Sequence, residues 1–309
     1  MNLEPLNQLK LFGLNKQFDD LLNLYSLGKF PNKILLSGEK GIGKCTLAYH
    51  LINYALSINE VHKYDIQNYT INEDNRSYKL TLNKSNPNFF LIDVAPDKKN
   101  IDIAQIRNLV STINKSSFNT MPRFVLIDNI EYLNINSVNA LLKVIEEPNH
   151  NINFVLINNN KRILPTLKSR CLNFKISLTF QGSIDIINLL LNDNIFNLLN
   201  SELINHYTTP GNFYNIVKFS KDFDINLKTI NLKEFLNLII NNTYYKKESS
   251  IKYLIYDFIE LYFRNNTSNF DSSLIDSYSY FLKKINNVKK FNLDEESLFL
   301  EFKSKLLNG

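Results

Sequence analysis

Residues Ser37-Gly38-Glu39-Lys40-Gly41-Ile42-Gly43-Lys44-Cys45-Thr46 follow directly on the apolar run Ile34-Leu35-Leu36 and lead into Leu47-Ala48-Tyr49-His50-Leu51-Ile52. The order is a buried strand, a glycine-rich turn and a helix, which is the layout of a phosphate-binding loop, G-x-x-x-x-G-K-[ST]. Three of the chain's 8 glycines fall inside this loop, so the spacing is hard to ascribe to chance. Gly38, Gly41 and Gly43 allow the backbone to close around an anion, with N–H groups and the positive helix end aimed at it; Lys44 reaches the terminal phosphates. The pattern departs at one position. The metal-holding Ser/Thr after the lysine is Cys45, and a thiol is a poor ligand for magnesium, which prefers oxygen. The stretch therefore reads as a nucleotide site for ATP or ADP, with magnesium weak or absent, or as the remains of one. Gly38, Gly41, Gly43, Lys44, Cys45 and Thr46, together with Asp128 further along the chain, are the candidate cofactor-binding residues. A strand–helix turn that binds nothing is the plain alternative.

On either side of the loop the chain alternates short apolar runs with helical stretches. A helix is expected within Leu11 to Phe30, ended by Gly28 and Pro31. Phe89-Phe90-Leu91-Ile92-Asp93-Val94 reads as a buried strand closed by Ala95-Pro96, and Ile101 to Ile113 as a helix. Phe124-Val125-Leu126-Ile127-Asp128 is a further strand, Asn134 to Glu147 a helix stopped by Pro148, and Phe154-Val155-Leu156-Ile157 a strand. Ile163 to Leu167 leads through Ser169-Arg170-Cys171 into a last strand, Leu172 to Ile176. This alternation predicts an α/β layer, a parallel sheet with crossover helices, over residues 1–178. Between them, the polar stretch Asn59 to Asn88 is either a hairpin insertion, since Tyr78-Lys79-Leu80-Thr81-Leu82 alternates, or a mobile loop.

Beyond Leu178 the pattern becomes helical. A small module is expected over 179–226, with Thr208-Thr209-Pro210-Gly211 as the break of a helix–turn–helix arrangement. A helical bundle is expected over 227–309, with breaks at Asn241-Asn242, Asn265-Asn266 and Asn286-Asn287. A wholly helical C-terminal third offers little room for a conventional enzyme site and reads as a packing surface.

The length of 309 residues suits two or three domains with a sizeable core. Hydrophobic residues at 44% and charged residues at 21% are ordinary for a soluble globular chain. The net charge of +5 permits contact with nucleic acid without arguing for it, because the lysines are scattered. Two distant cysteines, Cys45 and Cys171, exclude a cysteine-rich zinc module and a disulfide framework, and suit a reducing cytosol. No signal pattern opens the chain and no apolar run approaches the ~20 residues that span a bilayer. A cytoplasmic protein with no membrane partner is expected, and the residues suggest no metal site.

Asp128, at the carboxyl end of an apolar strand, stands where a phosphate-loop protein keeps its magnesium-associated acid. A strand-end aspartate that caps the next turn is the simpler reading. The following residue would ordinarily be a glutamate that polarises water. Here it is Asn129, which cannot accept the proton. Glu131 lies two residues on. With Cys45 and Asn129 both altered, a competent ATPase is not expected.

The loop Gly38–Thr46, the segment Asp128 to Glu131, the helix Asn139-Ala140-Leu141-Leu142-Lys143-Val144-Ile145-Glu146-Glu147-Pro148 and the run Leu164-Pro165-Thr166-Leu167-Lys168-Ser169-Arg170-Cys171 together resemble the bacterial clamp-loader AAA+ family, and in particular its delta-prime branch. The stretch from Asn88-Phe89 through Pro96 into Ile103-Ala104-Gln105-Ile106-Arg107 fits the same family, as does Phe291-Asn292-Leu293-Asp294. The resemblance covers nearly the whole chain and is most specific in Ala140–Pro148 and Leu164–Cys171.

It implies an AAA+ P-loop core, a small helical lid and a helical collar, through which gamma/tau-type and delta-type subunits join in a hetero-pentameric ring. That ring belongs to the DNA polymerase III holoenzyme; it opens the sliding clamp and places it on primed DNA. It implies a degenerate nucleotide site and, at Arg170, a catalytic arginine acting in trans on the neighbouring subunit's ATP. Three departures stand out: residues 59–88 hold no cysteine for the zinc module many members carry, Pro210-Gly211-Asn212-Phe213-Tyr214 holds no sensing arginine, and Asn129 replaces an acid. Asn158 or Asn159, near the sensor-1 turn, either orients a phosphate or makes a turn. An active AAA+ ATPase, as a loader motor or a DNA remodelling motor, is the alternative. A small-molecule nucleotide kinase is disfavoured by the helical tail.

Overall fold

The computed structural model describes residues 3–95, 98–115, 119–146, 151–266, 272–291 and 293–308. Expectations for Pro96, Glu147, Pro148 and Asn292 lie outside these residues. The chain divides into two compact units, Met1–Thr179 and Phe180–Gly309.

The first unit carries strands β1 (Lys33–Ser37), β2 (Phe89–Ile92), β3 (Arg123–Ile127), β4 (Ile152–Asn158) and β5 (Leu172–Lys175). They form one sheet in the order β2-β3-β4-β1-β5, and every pairing is parallel. Helix α1 (Asn15–Ser26) precedes β1, and helices α2 (Lys44–Ser57), α3 (Arg76–Leu82), α4 (Ile103–Ile113), α5 (Ile135–Glu146) and α6 (Pro165–Lys168) make the crossovers. Side chains alternate between the two faces along each strand. Ile34, Leu36, Phe124, Leu126, Val155 and Ile157 pack with Phe18, Leu21, Leu47 and Leu51 of α1 and α2 on one face. Leu35, Val125, Ile127, Phe154 and Leu156 pack with Ile106, Leu109, Leu141 and Ile145 of α4 and α5 on the other. A sheet covered on both faces explains why these strands read as unbroken apolar runs.

One segment departs from expectation. Tyr78-Lys79-Leu80-Thr81-Leu82 is helical, in α3, and not half of a hairpin. Tyr78 and Leu82 are four apart, so both meet the first core from one helix face, and the alternation that suggested a strand is a short sample of that spacing. The buried Asn75 caps the helix by accepting the backbone N–H of Tyr78 at 2.8 Å, and donates to the carbonyl of His62.

The second unit is helical: α7 (Phe180–Leu191), α8 (Ile195–Leu198), α9 (Pro210–Asp222), α10 (Leu232–Asn241), α11 (Tyr244–Lys247), α12 (Ser249–Asn266), α13 (Ser272–Phe291) and α14 (Glu295–Phe302). Among its described residues there is no strand. Thr209 caps α9 by accepting from Asn212 N–H, with Pro210 at the first helical position, so the expected break is a helix start. α10 ends at Asn241 and α12 at Asn266, as the asparagine pairs suggest. Asn286-Asn287, by contrast, lies inside α13. Phe281, Ile285 and Val288 recur on one face and are buried, and that packing overrides the weak helix preference of two exposed asparagines. One core runs from Ile184 to Leu307, taking Phe213 and Phe219 from α9 together with Phe235, Phe258, Phe263 and Phe299 from later helices.

Candidate functional site

The glycine loop sits at the carboxyl end of β1, between the ends of β4 and β5 in the sheet, where open α/β sheets place their ligands. Gly43 is the N-cap of α2 and takes φ +90°, while Gly41 takes φ +87°; both values favour glycine. Gly38 is required for a different reason: a Cβ there would stand 2.3 Å from the carbonyl oxygen of Ile176, which the loop crosses as it leaves the sheet. Lys44, 3% exposed, opens α2 and turns back onto its own loop, donating to the carbonyls of Gly38 at 2.9 Å and Glu39 at 2.5 Å. Burial lowers its pKa to about 8, against the opposing pull of the Asp128, Glu131 and Glu39 carboxylates. Thr46 lies in the first turn of α2, partly buried.

Cys45 and Asp128 meet. The thiol and the carboxylate share a hydrogen bond; burial chiefly, and then the negative charge of Asp128, hold the thiol well above its ordinary range. Asp128 itself is raised to about 6, by burial first and then by the nearby Asp93 carboxylate. The position from which a hydroxyl would bind magnesium thus carries a protonated sulfur engaged with the one acid that would assist it. The left-handed glycines, the helix N-terminus and Lys44 suit phosphate. The Cys45–Asp128 pair does not suit a hard cation. Among the described residues no group of three or more His, Cys, Asp or Glu side chains is placed to hold a metal ion.

Asn129 takes φ +56°, a conformation asparagine tolerates better than glutamate does. Its amide nitrogen donates to Asp93 Oδ1 at 2.8 Å, and its amide oxygen accepts from Asn159 Nδ2 at 2.8 Å. Asn159 Nδ2 also donates to Glu131 Oε1 at 2.9 Å, so both protons of that amide are committed. Asn158 settles differently, closing the turn with Lys161: its amide donates to the Lys161 carbonyl and its oxygen accepts the Lys161 N–H, both at 3.0 Å. The chain from Asp93 through Asn129 and Asn159 to Glu131 ties the ends of β2, β3 and β4 together. Sequence reading did not assign Asp93 to the site. Two neighbouring parallel strands both ending in aspartate, Asp93 and Asp128, were the available signal.

Arg170 lies apart from this group, in the turn between α6 and β5. Its Nη1 donates to the Thr166 carbonyl at 2.9 Å and its Nη2 pairs with Glu146 Oε1 at 2.7 Å, with 37% of the arginine side chain and 48% of the glutamate exposed.

The family described as DNA polymerase III, delta subunit, matches residues 13–179. The chain belongs to that family. The delta-prime subunit of DNA polymerase III from Buchnera aphidicola subsp. Schizaphis graminum is 24% identical over 290 residues, covering 89% of this chain and 85% of that protein. The gamma subunit from the same organism is 33% identical over 198 residues; the match covers 63% of this chain and 48% of the gamma protein, about half its length. The delta-prime subunit of Pseudomonas aeruginosa is 31% identical over 138 residues, 44% of this chain and 40% of that one. A DNA polymerase III gamma subunit-related protein from Thermotoga maritima, known from its crystal structure, aligns over 92% of this chain and 97% of its own with a TM-score of 0.50 at 17% identity. The fold is the AAA+-type α/β fold expected for the family. No helix among the described residues is long and apolar enough to cross a membrane.

Proposed function

We propose that this chain acts as a delta-prime-type subunit of the DNA polymerase III clamp loader. In that role it joins gamma/tau-type and delta-type subunits in a hetero-pentameric ring that places the sliding clamp on primed DNA. The observation that carries this reading is the closure of both hydrolytic positions: Cys45 is engaged with Asp128, and Asn129 is held between Asp93 and Asn159. Family membership supports the assembly, and this closure supports a place within it as a member with little turnover of its own.

In this reading the loop keeps a capacity for ATP or ADP. Backbone N–H groups at the start of α2 meet the phosphates, and Lys44 exchanges the carbonyls of Gly38 and Glu39 for phosphate oxygens. Asn129 can hold a water by hydrogen bonding but cannot take its proton, so water at this loop is not activated. Arg170 is directed instead to the ATP of the adjoining subunit. A guanidinium brought across an interface stabilises charge developing on the transferred phosphoryl, an effect worth ~10³–10⁵ in rate. The lid at 179–226 and the collar at 227–309 belong to the same proposal, the collar supplying the oligomerisation surface.

A second reading, a catalytically active AAA+ ATPase of the gamma type, is favoured by the intact glycine loop and by the 33% identity to a gamma subunit. One experiment separates the two. The purified chain is assayed for ATP hydrolysis alone, with and without primed DNA, and then in a ring reconstituted with gamma-type and delta-type subunits recovered by pull-down. Background turnover alone and stimulated turnover in the ring support the first reading. Robust turnover by the lone chain refutes it.

A further inference from the structure

We infer that Glu146 is the positioning residue for Arg170, holding its guanidinium in the plane from which it meets the adjoining nucleotide. This inference rests on the trans-arginine reading above and adds to it the part that aims the arginine.

An arginine side chain has many rotamers, and a group that must meet a phosphoryl at one point gains from being fixed beforehand. Two attachments hold Arg170. The Thr166 carbonyl, four residues back in the same segment, takes Nη1 at 2.9 Å. Alone, that contact would leave the fork free to swing about a single hydrogen bond. The Glu146 carboxylate takes Nη2 at 2.7 Å from a different element, and the second point fixes the plane. Glu146 is a firm post for this purpose. It is the last residue of α5, one step beyond Ile145 and five beyond Leu141, both fully buried in the core beneath the sheet. The pair thus ties the turn that carries Arg170 to a helix packed into the core on that face.

Thermodynamic stability does not account for the pair. Both partners are substantially exposed, and exposed ion pairs add little to folding. Both attachments use the terminal nitrogens, and among the described residues no further partner holds the guanidinium. Its remaining N–H groups stay available for an oxygen ligand.

The test uses rings reconstituted with the full-length chain and its gamma-type and delta-type partners, comparing Arg170→Ala, Glu146→Ala, Glu146→Gln and the double variant Arg170→Ala/Glu146→Ala. Melting curves verify that each variant is folded. Glu146→Ala is expected to lower the kcat of the arginine-dependent ATPase about three- to fivefold, the loss of one exposed charge-assisted contact, with KM for ATP changed less than about twofold. Glu146→Gln keeps an acceptor oxygen in place and is expected to restore most of kcat. The double variant is expected to be no slower than Arg170→Ala alone, since a positioning residue has nothing left to position. If Arg170→Ala is slow while Glu146→Ala turns over at the wild-type rate, the positioning role is overturned and the trans-arginine reading stands. Additive losses in the double variant also overturn it. A wild-type rate for Arg170→Ala overturns both.

Discussion

Two cations mark the nucleotide-binding fold of this chain, and they are treated in opposite ways. Lys44 is sunk into the protein and turned onto the carbonyls of its own loop, with the Asp128, Glu131 and Glu39 carboxylates lending it their field. Arg170 is held at the surface by two contacts on a turn, with its other donors unengaged among the described residues. One charge is folded inward and one is presented outward. In the proposed function the phosphate-loop fold is kept as architecture, and the chemistry is carried by a side chain at the rim. Gly38 must remain glycine to pass the Ile176 carbonyl whether or not a phosphate ever reaches the loop. Persistence of the glycine pattern is therefore weak evidence for turnover; the state of the groups around it decides.

The contrast can be broken most forcefully at the outward cation. Arg170→Ala is expected to cost ~10³-fold or more in turnover at the adjoining ATP site of a reconstituted ring, while gel filtration still shows the ring assembled. An unchanged rate would leave the surface arginine without a role. At the inward end, Gly38→Val should destabilise the first unit by about 3 kcal/mol or more, read from denaturant titration, because the added branch meets a backbone carbonyl that cannot move aside. A neutral substitution would mean the loop is held less tightly than Lys44 suggests.

Asn129→Glu sharpens the contrast from the middle. It forces a glutamate into a left-handed backbone, removes a donor from Asp93, displaces the oxygen that accepts from Asn159, and adds a carboxylate beside Asp93. A loss of about 1–3 kcal/mol is expected, with ATP turnover by the lone chain still at background. Turnover appearing on this single change would show the inward site to be one residue from activity.

The smallest effect concerns His50, on α2 behind the loop, whose ring nitrogens meet Tyr64 Oη at 2.9 Å and the Gln8 carbonyl at 3.0 Å. Burial lowers its pKa from 6.5 to about 4, so the folded chain keeps it neutral where the unfolded chain takes up a proton. Its contribution is complete above pH 6.5 and is lost as pH falls towards 4. Relative to His50→Gln, the wild type should lose about 1 kcal/mol between neutral pH and about pH 5.5. Parallel pH profiles would indicate that water reaches the back of α2.

Much of this was readable from residues alone. The five strands announce themselves because a sheet covered on both faces needs unbroken apolar runs, and the loop does because glycine spacing and Lys44 are local. Tyr78–Leu82 misled because five residues cannot distinguish a two-residue period from an i, i+4 pair; the buried Asn75 that settles it acts through its side chain. Asn286-Asn287 misled because helix preference is local, whereas Ile285 and Val288 are held by the rest of the bundle. The bridge from Asp93 through Asn129 to Asn159 and Glu131 was illegible for the same reason: it joins residues brought together only by strand order. Arg170 could be picked out by its neighbours in sequence, but its attachment to Glu146 spans two elements and needed the fold.

The doubly engaged amide of Asn159 has a consequence for signalling. With both protons already given to Asn129 and Glu131, that side chain has no donor left to offer a phosphate arriving at the loop. In the proposed role, the stretch that continues from there to the outward guanidinium is set by these contacts and not by what its own pocket holds.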